Sequence, residues 1–108
     1  MDIKDYQLWT DKTAIYPKDA GIAYTILGLA SETGEVAGKF KKVIRDNAGI
    51  LSDEKKNQLI DELGDVFWYC TRLATELGIS VEEVLQRNHD KLEDRLARNV
   101  IQGSGDNR

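Results

Sequence analysis

Apolar residues recur along most of this chain at intervals of three and four, the spacing that places them on one side of an α-helix. The longest such run extends from about Asp19 to Arg45, and another begins near Ser52 and continues to Leu77. The alternation of apolar and polar residues that is typical of strands does not occur. The pattern therefore predicts an all-α protein.

Turn and capping residues divide this pattern into four helices. The only proline, Pro17, separates a first helix over about residues 2–15 from the long second helix. Gly78 ends the third helix. Ser80, with Glu83 three residues later, has the spacing of a capping box and begins the fourth helix.

The length of the chain allows a single domain. It has 108 residues, of which 41% are hydrophobic, and this is enough for a modest core. We expect that domain to cover residues 1–102 and the polar Gly103–Arg108 segment to form a flexible tail. Because short helical chains often complete their cores with a second copy, we expect a homo-oligomer, either a dimer or a tetramer.

The net charge and the remaining composition reduce the possible binding partners and cellular locations. A net charge of −4 argues against binding to a nucleic acid polymer or an anionic membrane. The Met1–Asp5 segment lacks the features of a signal peptide, and no apolar window is long enough for a membrane span. The single cysteine, Cys70, lies in an apolar run, which predicts a buried thiol. We expect a cytoplasmic protein.

Two acidic pairs are the strongest candidates for a functional site. Glu32 and Glu35 on the second helix, and Glu62 and Asp65 on the third, each lie three residues apart and so on one side of their helix. Both pairs border the apolar faces, so packing of the helices would bring up to four carboxylates together. Oxygen ligands without histidine favour Mg²⁺, with Mn²⁺ as a substitute, over zinc. Two separate solvated acidic patches remain the alternative.

Each acidic pair also encloses a glycine, Gly34 in the first pair and Gly64 in the second. Glycine costs about 1 kcal/mol in a helix interior. Its presence at matching places predicts the close approach of another helix or of a ligand.

A line of polar and basic residues follows one side of the fourth helix. Asn88, Lys91 and Arg95 recur at helical spacing, with Asn88 near the centre of the apolar face. Arginine and lysine are the usual partners of phosphate groups, so this line predicts contact with a polyphosphate. Lys39, one turn beyond Glu35, is a weaker candidate for the same role. Salt bridges to the acidic pairs remain the alternative for the basic residues of the fourth helix.

Together these residues resemble the MazG-type branch of the all-α nucleoside triphosphate pyrophosphohydrolases. The family pattern is a Glu-Glu-x-x-Glu segment followed, one loop later, by Glu-x-x-Asp, and it corresponds here to Ser31–Glu35 and Glu62–Asp65. Leu27–Ala30 and the tail also resemble short stand-alone members, including phage-encoded ones. Ser31 stands where the family motif often has its first glutamate, which leaves open the number of metal ions and the identity of the base.

The resemblance implies hydrolysis of (deoxy)nucleoside triphosphates between the α and β phosphates, giving a nucleoside monophosphate and pyrophosphate. It implies that the four acidic residues hold Mg²⁺, that Glu32 or Glu35 acts as general base, that Lys91 and Arg95 hold the outer phosphates, and that Asn88 binds a sugar or phosphate oxygen. It also implies at least a dimer. A catalytically weak nucleotide- or metal-binding regulatory module of the same fold remains the alternative.

Overall fold

The computed structural model describes residues 1–108 and contains helices and turns but no strand. The all-α prediction is therefore confirmed. The helices are α1 (Ile3–Trp9), α2 (Gly21–Asn47), α3 (Asp53–Glu76) and α4 (Val81–Ala97), with short 3₁₀ turns over Thr10–Lys12 and Lys18–Ala20.

Serine side chains cap α3 and α4, and the sequence predicted the cap of α4. Ser52 Oγ accepts a hydrogen bond from the Lys55 amide at 3.2 Å, and Ser80 Oγ accepts one from the Glu83 amide at 3.1 Å. The return half of the predicted capping box does not form, because the Glu83 carboxylate accepts a hydrogen bond from Arg87 instead. Serine caps alone therefore fix where α3 and α4 begin.

The first helix is shorter than predicted, since α1 ends at Trp9 and not near residue 15. Thr10 Oγ1 donates to the carbonyl of Gln7 at 2.7 Å, and Thr13 Oγ1 donates to the carbonyl of Thr10 at 3.1 Å. Such local side-chain hydrogen bonds compete with helix continuation. The chain leaves the helix through a 3₁₀ turn and extends to Pro17.

The two long helices form an antiparallel pair. Gly21 and Gly28 of α2 lie against Glu76 and Tyr69 of α3, so the order of contacts reverses between the helices. A Cβ built on Gly28 would lie 2.0 Å from the Tyr69 ring, which means that only glycine permits this approach. No helix of the single chain makes the close approach predicted at Gly34 and Gly64, because nothing lies within 4 Å of a Cβ built at either position.

The first helix attaches to the turn between α3 and α4 through one side chain. Gln7 Nε2 donates to Thr75 Oγ1 at 3.0 Å and to the Ile79 carbonyl at 3.1 Å, while Gln7 Oε1 accepts from the Val81 amide at 2.9 Å. All the hydrogen-bonding groups of the amide are thereby directed at one junction. α4 itself contacts α1 and α3 and makes no contact with α2.

A buried arginine fastens the segment after α1 to α3. Arg72 donates to Asp11 at 2.5 Å, to Thr10 Oγ1 at 3.2 Å and to the Tyr16 hydroxyl at 3.2 Å, and that hydroxyl also donates to Glu76. Burial disfavours the charged form, but these partners outweigh it and raise the pKa of Arg72. The Thr10–Tyr16 segment is thus held across the face of α3.

Much of the predicted apolar surface is exposed in the single chain. Phe67 is 59% exposed, Leu63 is 48% exposed and Phe40 is 41% exposed. Cys70 is exposed as well, so the prediction of a buried thiol is wrong for the single chain. The reason is the same for all four residues: the helix periodicity identifies an apolar face, but no element of the chain packs closely enough to cover these parts of it.

Candidate metal centre

Three of the four predicted acidic residues converge between α2 and α3. Glu32, Glu62 and Asp65 each offer a carboxylate oxygen, and these oxygens lie within 4.8 Å of one another. Glu62 and Asp65 share one side of α3 because they are three residues apart, and the antiparallel register places Glu32 opposite them. We refer to these three residues as the acidic cluster.

The fourth residue, Glu35, lies outside the acidic cluster. It is exposed on α2, one turn beyond Glu32. Its charge nevertheless acts on the cluster: burial, and then the charges of Asp65, Glu62 and Glu35, raise the pKa of Glu32. Burial and the neighbouring negative charges therefore disfavour ionisation of Glu32 when no cation is bound. All the ligand atoms that the cluster offers are oxygens, which Mg²⁺ and Mn²⁺ prefer. This arrangement fits a divalent cation.

One lysine already offsets part of this charge. Lys39 Nζ lies 3.5 Å from Glu62 Oε1, and both side chains are partly buried. The contact is a salt bridge to one of the two acidic pairs. Lys39 thus lies at the edge of the acidic cluster, where it can meet either a carboxylate or a bound anion.

An aromatic cleft opens beside the acidic cluster. It has a volume of about 330 Å³ and is lined by Glu32 and Asp65 together with Thr13, Trp68 and Tyr69. Trp68 Nε1 donates to Thr13 Oγ1 at 2.8 Å, and the Trp68 and Tyr69 rings meet edge-on with their centroids 4.9 Å apart. The cleft places two aromatic side chains next to carboxylates, a combination suited to an organic ligand with charged groups.

Sequence reasoning missed these three cleft residues, although part of the signal was present. Trp68 and Tyr69 follow Asp65 by three and four positions, which places them on its side of α3. Burial first, then interaction with Tyr24 and the charges of Glu32 and Asp65, raise the pKa of Tyr69, so its hydroxyl stays protonated beside the cluster. Thr13 carries no comparable signal, because it reaches the cleft through the irregular segment after α1.

The basic residues of α4 have other partners in the single chain. Lys91 Nζ lies 3.2 Å from Asp106 Oδ1, and Arg95 Nη2 lies 3.1 Å from the same oxygen. Neither forms a salt bridge with the acidic cluster. Asn88 is exposed and lines a surface groove with Lys91 and four neighbours. The structure therefore keeps Asn88, Lys91 and Arg95 together on α4, apart from the α2–α3 contact.

Two comparisons relate the chain to known proteins. A family model described as the MazG nucleotide pyrophosphohydrolase domain matches residues 21–99, which span α2, α3 and α4. The Gene 37 protein of Mycobacterium phage L5 is 45% identical over 114 aligned positions that cover 100% of both chains. No solved structure matches the chain.

Proposed function

We propose, since the chain belongs to the MazG nucleotide pyrophosphohydrolase family, that it hydrolyses (deoxy)nucleoside triphosphates between the α and β phosphates. The products are a nucleoside monophosphate and pyrophosphate, and the reaction depends on Mg²⁺. The observation that carries this proposal is the convergence of Glu32, Glu62 and Asp65 beside the aromatic cleft. The cluster suits a cation, and the cleft suits the organic part of a nucleotide.

We assign the metal to the acidic cluster, with Glu35 as the nearest further carboxylate. Mg²⁺ bound there would supply positive charge to the phosphate oxygens and would lower the pKa of a water molecule. Mn²⁺ has similar oxygen preferences and would substitute. Glu32, Glu62 and Asp65 would hold this ion, while Tyr69 and Trp68 would exclude water from one side of the cleft.

The general base is then a carboxylate that is not fully used in coordination. Glu32 belongs to the acidic cluster, whereas Glu35 lies outside it on the same helix and remains exposed. We therefore assign removal of a proton from the attacking water to Glu35 and ligation to Glu32. Ser31, also exposed on α2, has no carboxylate to contribute to either task.

Lys91 and Arg95 hold the outer phosphates in this proposal, and Asn88 binds a sugar or phosphate oxygen. A planar guanidinium pairs two oxygens at once, and an ammonium adds a compact charge, so the departing pyrophosphate is stabilised. Lys39, already at the acidic cluster, contributes a further positive charge. Since α4 does not contact α2 within one chain, we propose that these residues meet the acidic cluster in an assembled oligomer.

The exposed surface supports self-association. The accessible area is 7897 Å², whereas a compact monomer of this mass exposes about 6,100 Å². The radius of gyration is 16.9 Å, against about 13 Å for a compact chain of this length. The excess of roughly 1,800 Å² per chain is of the size that permanent dimers bury. Light scattering after size-exclusion chromatography should give a dimer or tetramer, and a 12.2 kDa species would contradict this.

Location and boundaries complete the proposal. No helix is long and apolar enough to cross a membrane. Because the similar protein is encoded by a phage, we propose that the chain acts in host cytoplasm. We also propose that residues 1–102 form the working domain and that residues 103–108 form a separable tail.

The direct test is a substrate panel. Purified protein is incubated with each common ribo- and deoxynucleoside triphosphate and Mg²⁺, and the products are separated. We expect nucleoside monophosphate and pyrophosphate in equal amounts from at least one substrate. Release of orthophosphate, or no product from any triphosphate, contradicts the proposal. In the second case the Ser31 departure would favour the regulatory module, which binds the nucleotide and metal without turnover.

A further inference from the structure

The tail, residues 103–108, folds back onto the basic side of α4. Asp106 accepts from Lys91 Nζ at 3.2 Å and from Arg95 Nη2 at 3.1 Å through the same carboxylate oxygen, and its backbone carbonyl accepts from Arg95 Nη2 at 2.9 Å. The Arg95 side chain is only 5% exposed, while that of Asp106 is 80% exposed. An acidic side chain on the surface thus accepts from one nitrogen, Nη2, of a buried guanidinium.

The tail has its own means of holding this position. Arg108 donates to the carbonyls of Val100 at 3.2 Å, Ile101 at 3.0 Å and Gly105. Arg98, the residue that follows α4, donates to the Arg108 carbonyl at 2.6 Å. Gly105 has φ +79°, a conformation that residues with a side chain rarely adopt. These contacts close the tail into a loop that presents Asp106 to Lys91 and Arg95.

We propose that Asp106 is an internal anion that occupies the phosphate site of Lys91 and Arg95 and has to leave before a polyphosphate binds there. This inference rests on the proposed function, in which these two residues hold the outer phosphates. Carboxylate and phosphate oxygens accept from the same donors, so one excludes the other. The tail is then an autoinhibitory segment.

The charge of Asp106 is maintained at neutral pH. Hydrogen bonds from Arg95 and from Lys91, with the charges of both, lower the pKa of this carboxyl. The contact is also solvent-exposed at Asp106, and exposed pairs are weak. A ligand with several negative charges therefore displaces the tail. The tail weakens the binding of such a ligand but does not prevent it.

Binding of inorganic pyrophosphate tests the inference without requiring turnover. Calorimetric titrations are run at low ionic strength and without divalent cations, so that the acidic cluster does not contribute. Asp106→Asn should bind pyrophosphate about two- to fivefold more tightly than the wild type, which is the range expected for loss of an exposed ion pair. Removal of residues 103–108 should give at least the same gain.

Glu93→Gln is the matched control. Glu93 lies on α4 between Lys91 and Arg95, is exposed and makes no hydrogen bond or ion pair, so the variant changes the charge equally without touching the tail contact. Equal affinities for Asp106→Asn and Glu93→Gln would overturn the inference, as would an absence of pyrophosphate binding in all variants.

The two proposals fail in different ways. If Asp106→Asn binds pyrophosphate more tightly but no triphosphate is hydrolysed, the tail inference stands and the proposed activity is wrong. If triphosphates are hydrolysed to pyrophosphate while Asp106→Asn and Glu93→Gln bind alike, the activity stands and the tail inference is wrong.

Discussion

Glu32 on α2 and Asp65 on α3 belong to different helices, yet their carboxylate oxygens lie within 4.8 Å of each other as members of the acidic cluster. Their proximity depends on the antiparallel register of the two helices, which the contact of Gly28 with Tyr69 helps to fix one turn away. The site is therefore a property of the helix pair. Substitutions of the carboxylates and of Gly28 can therefore test separately the charge of the site and the packing of the two helices.

Removal of one cluster carboxylate should abolish most of the activity. We expect Glu62→Gln to lower kcat/KM by at least about 100-fold, since it replaces an anionic carboxylate by a neutral amide and removes a charge that offsets the cation. Asp61→Asn, on the neighbouring exposed position of α3, is the control and should retain activity. The measurement is the initial rate of pyrophosphate release. Comparable rates for the two variants would exclude Glu62 from the site.

Divalent cations should stabilise the wild type by binding to the acidic cluster. At a concentration one hundred times the dissociation constant, a single site adds about 2.7 kcal/mol to the free energy of unfolding. We expect Mg²⁺ or Mn²⁺ to raise the temperature of thermal denaturation and a chelator to restore the original temperature. The shift should be much smaller in Glu62→Gln and unchanged in Asp61→Asn. Equal shifts in all three proteins would place the cation elsewhere.

The metal-free protein should become less stable as pH rises because of Glu32. Burial and the neighbouring carboxylates raise its pKa above the ordinary 4.5, so the folded state holds this proton more tightly than the unfolded state. By linkage, the stabilising contribution is present below pH 4.5 and is lost as pH rises through the folded-state pKa. Glu32→Gln should flatten this part of the profile.

Urea denaturation at a series of pH values, in the presence of a chelator, measures this effect. Glu93→Gln is again a suitable control, because Glu93 lies on α4 and outside the cluster. A profile for Glu32→Gln that keeps the full slope of the wild type would show that the proximity of the carboxylates has no electrostatic consequence.

The sequence was sufficient for the helices and for the side of each helix on which the acids lie. Periodicity and serine caps are local signals, and both are read directly from neighbouring positions. The early end of α1 was not predicted, because helix periodicity does not show that the Thr10 hydroxyl donates to the Gln7 carbonyl. The acidic cluster was predicted with Glu35 included, since spacing cannot tell which of two residues on one face points at the partner helix.

Contacts between residues far apart in the chain could not be predicted from the sequence. The Tyr69 ring lies on Gly28, and the glycines chosen from the motif, Gly34 and Gly64, have open surroundings. Likewise, the polar tail has no periodicity from which the pairing of Asp106 with Arg95 could be expected. Such contacts depend on tertiary geometry, which local patterns leave undetermined.

The contact of Gly28 with Tyr69 gives the last prediction. A methyl group at position 28 would overlap the Tyr69 ring, since the added Cβ would lie 2.0 Å from it. We expect Gly28→Ala to displace the ring and to cost about 1–3 kcal/mol of stability, the usual range for overpacking. Because Tyr69 lines the cleft and follows Asp65 by four residues, triphosphate hydrolysis should fall as well.

Gly38→Ala on the same helix is the matched control for this variant. Nothing lies within 4 Å of the Cβ position at Gly38, so alanine there should raise stability by about 0.5–1 kcal/mol through helix propensity alone. Urea denaturation of both variants measures the difference. Changes of opposite sign in the free energy of unfolding would identify the close approach of α2 and α3 at Gly28 as the cause of the destabilisation. A stabilised Gly28→Ala protein would show that the helices are not this close, and the register that aligns Glu32 with Asp65 would then need a different support.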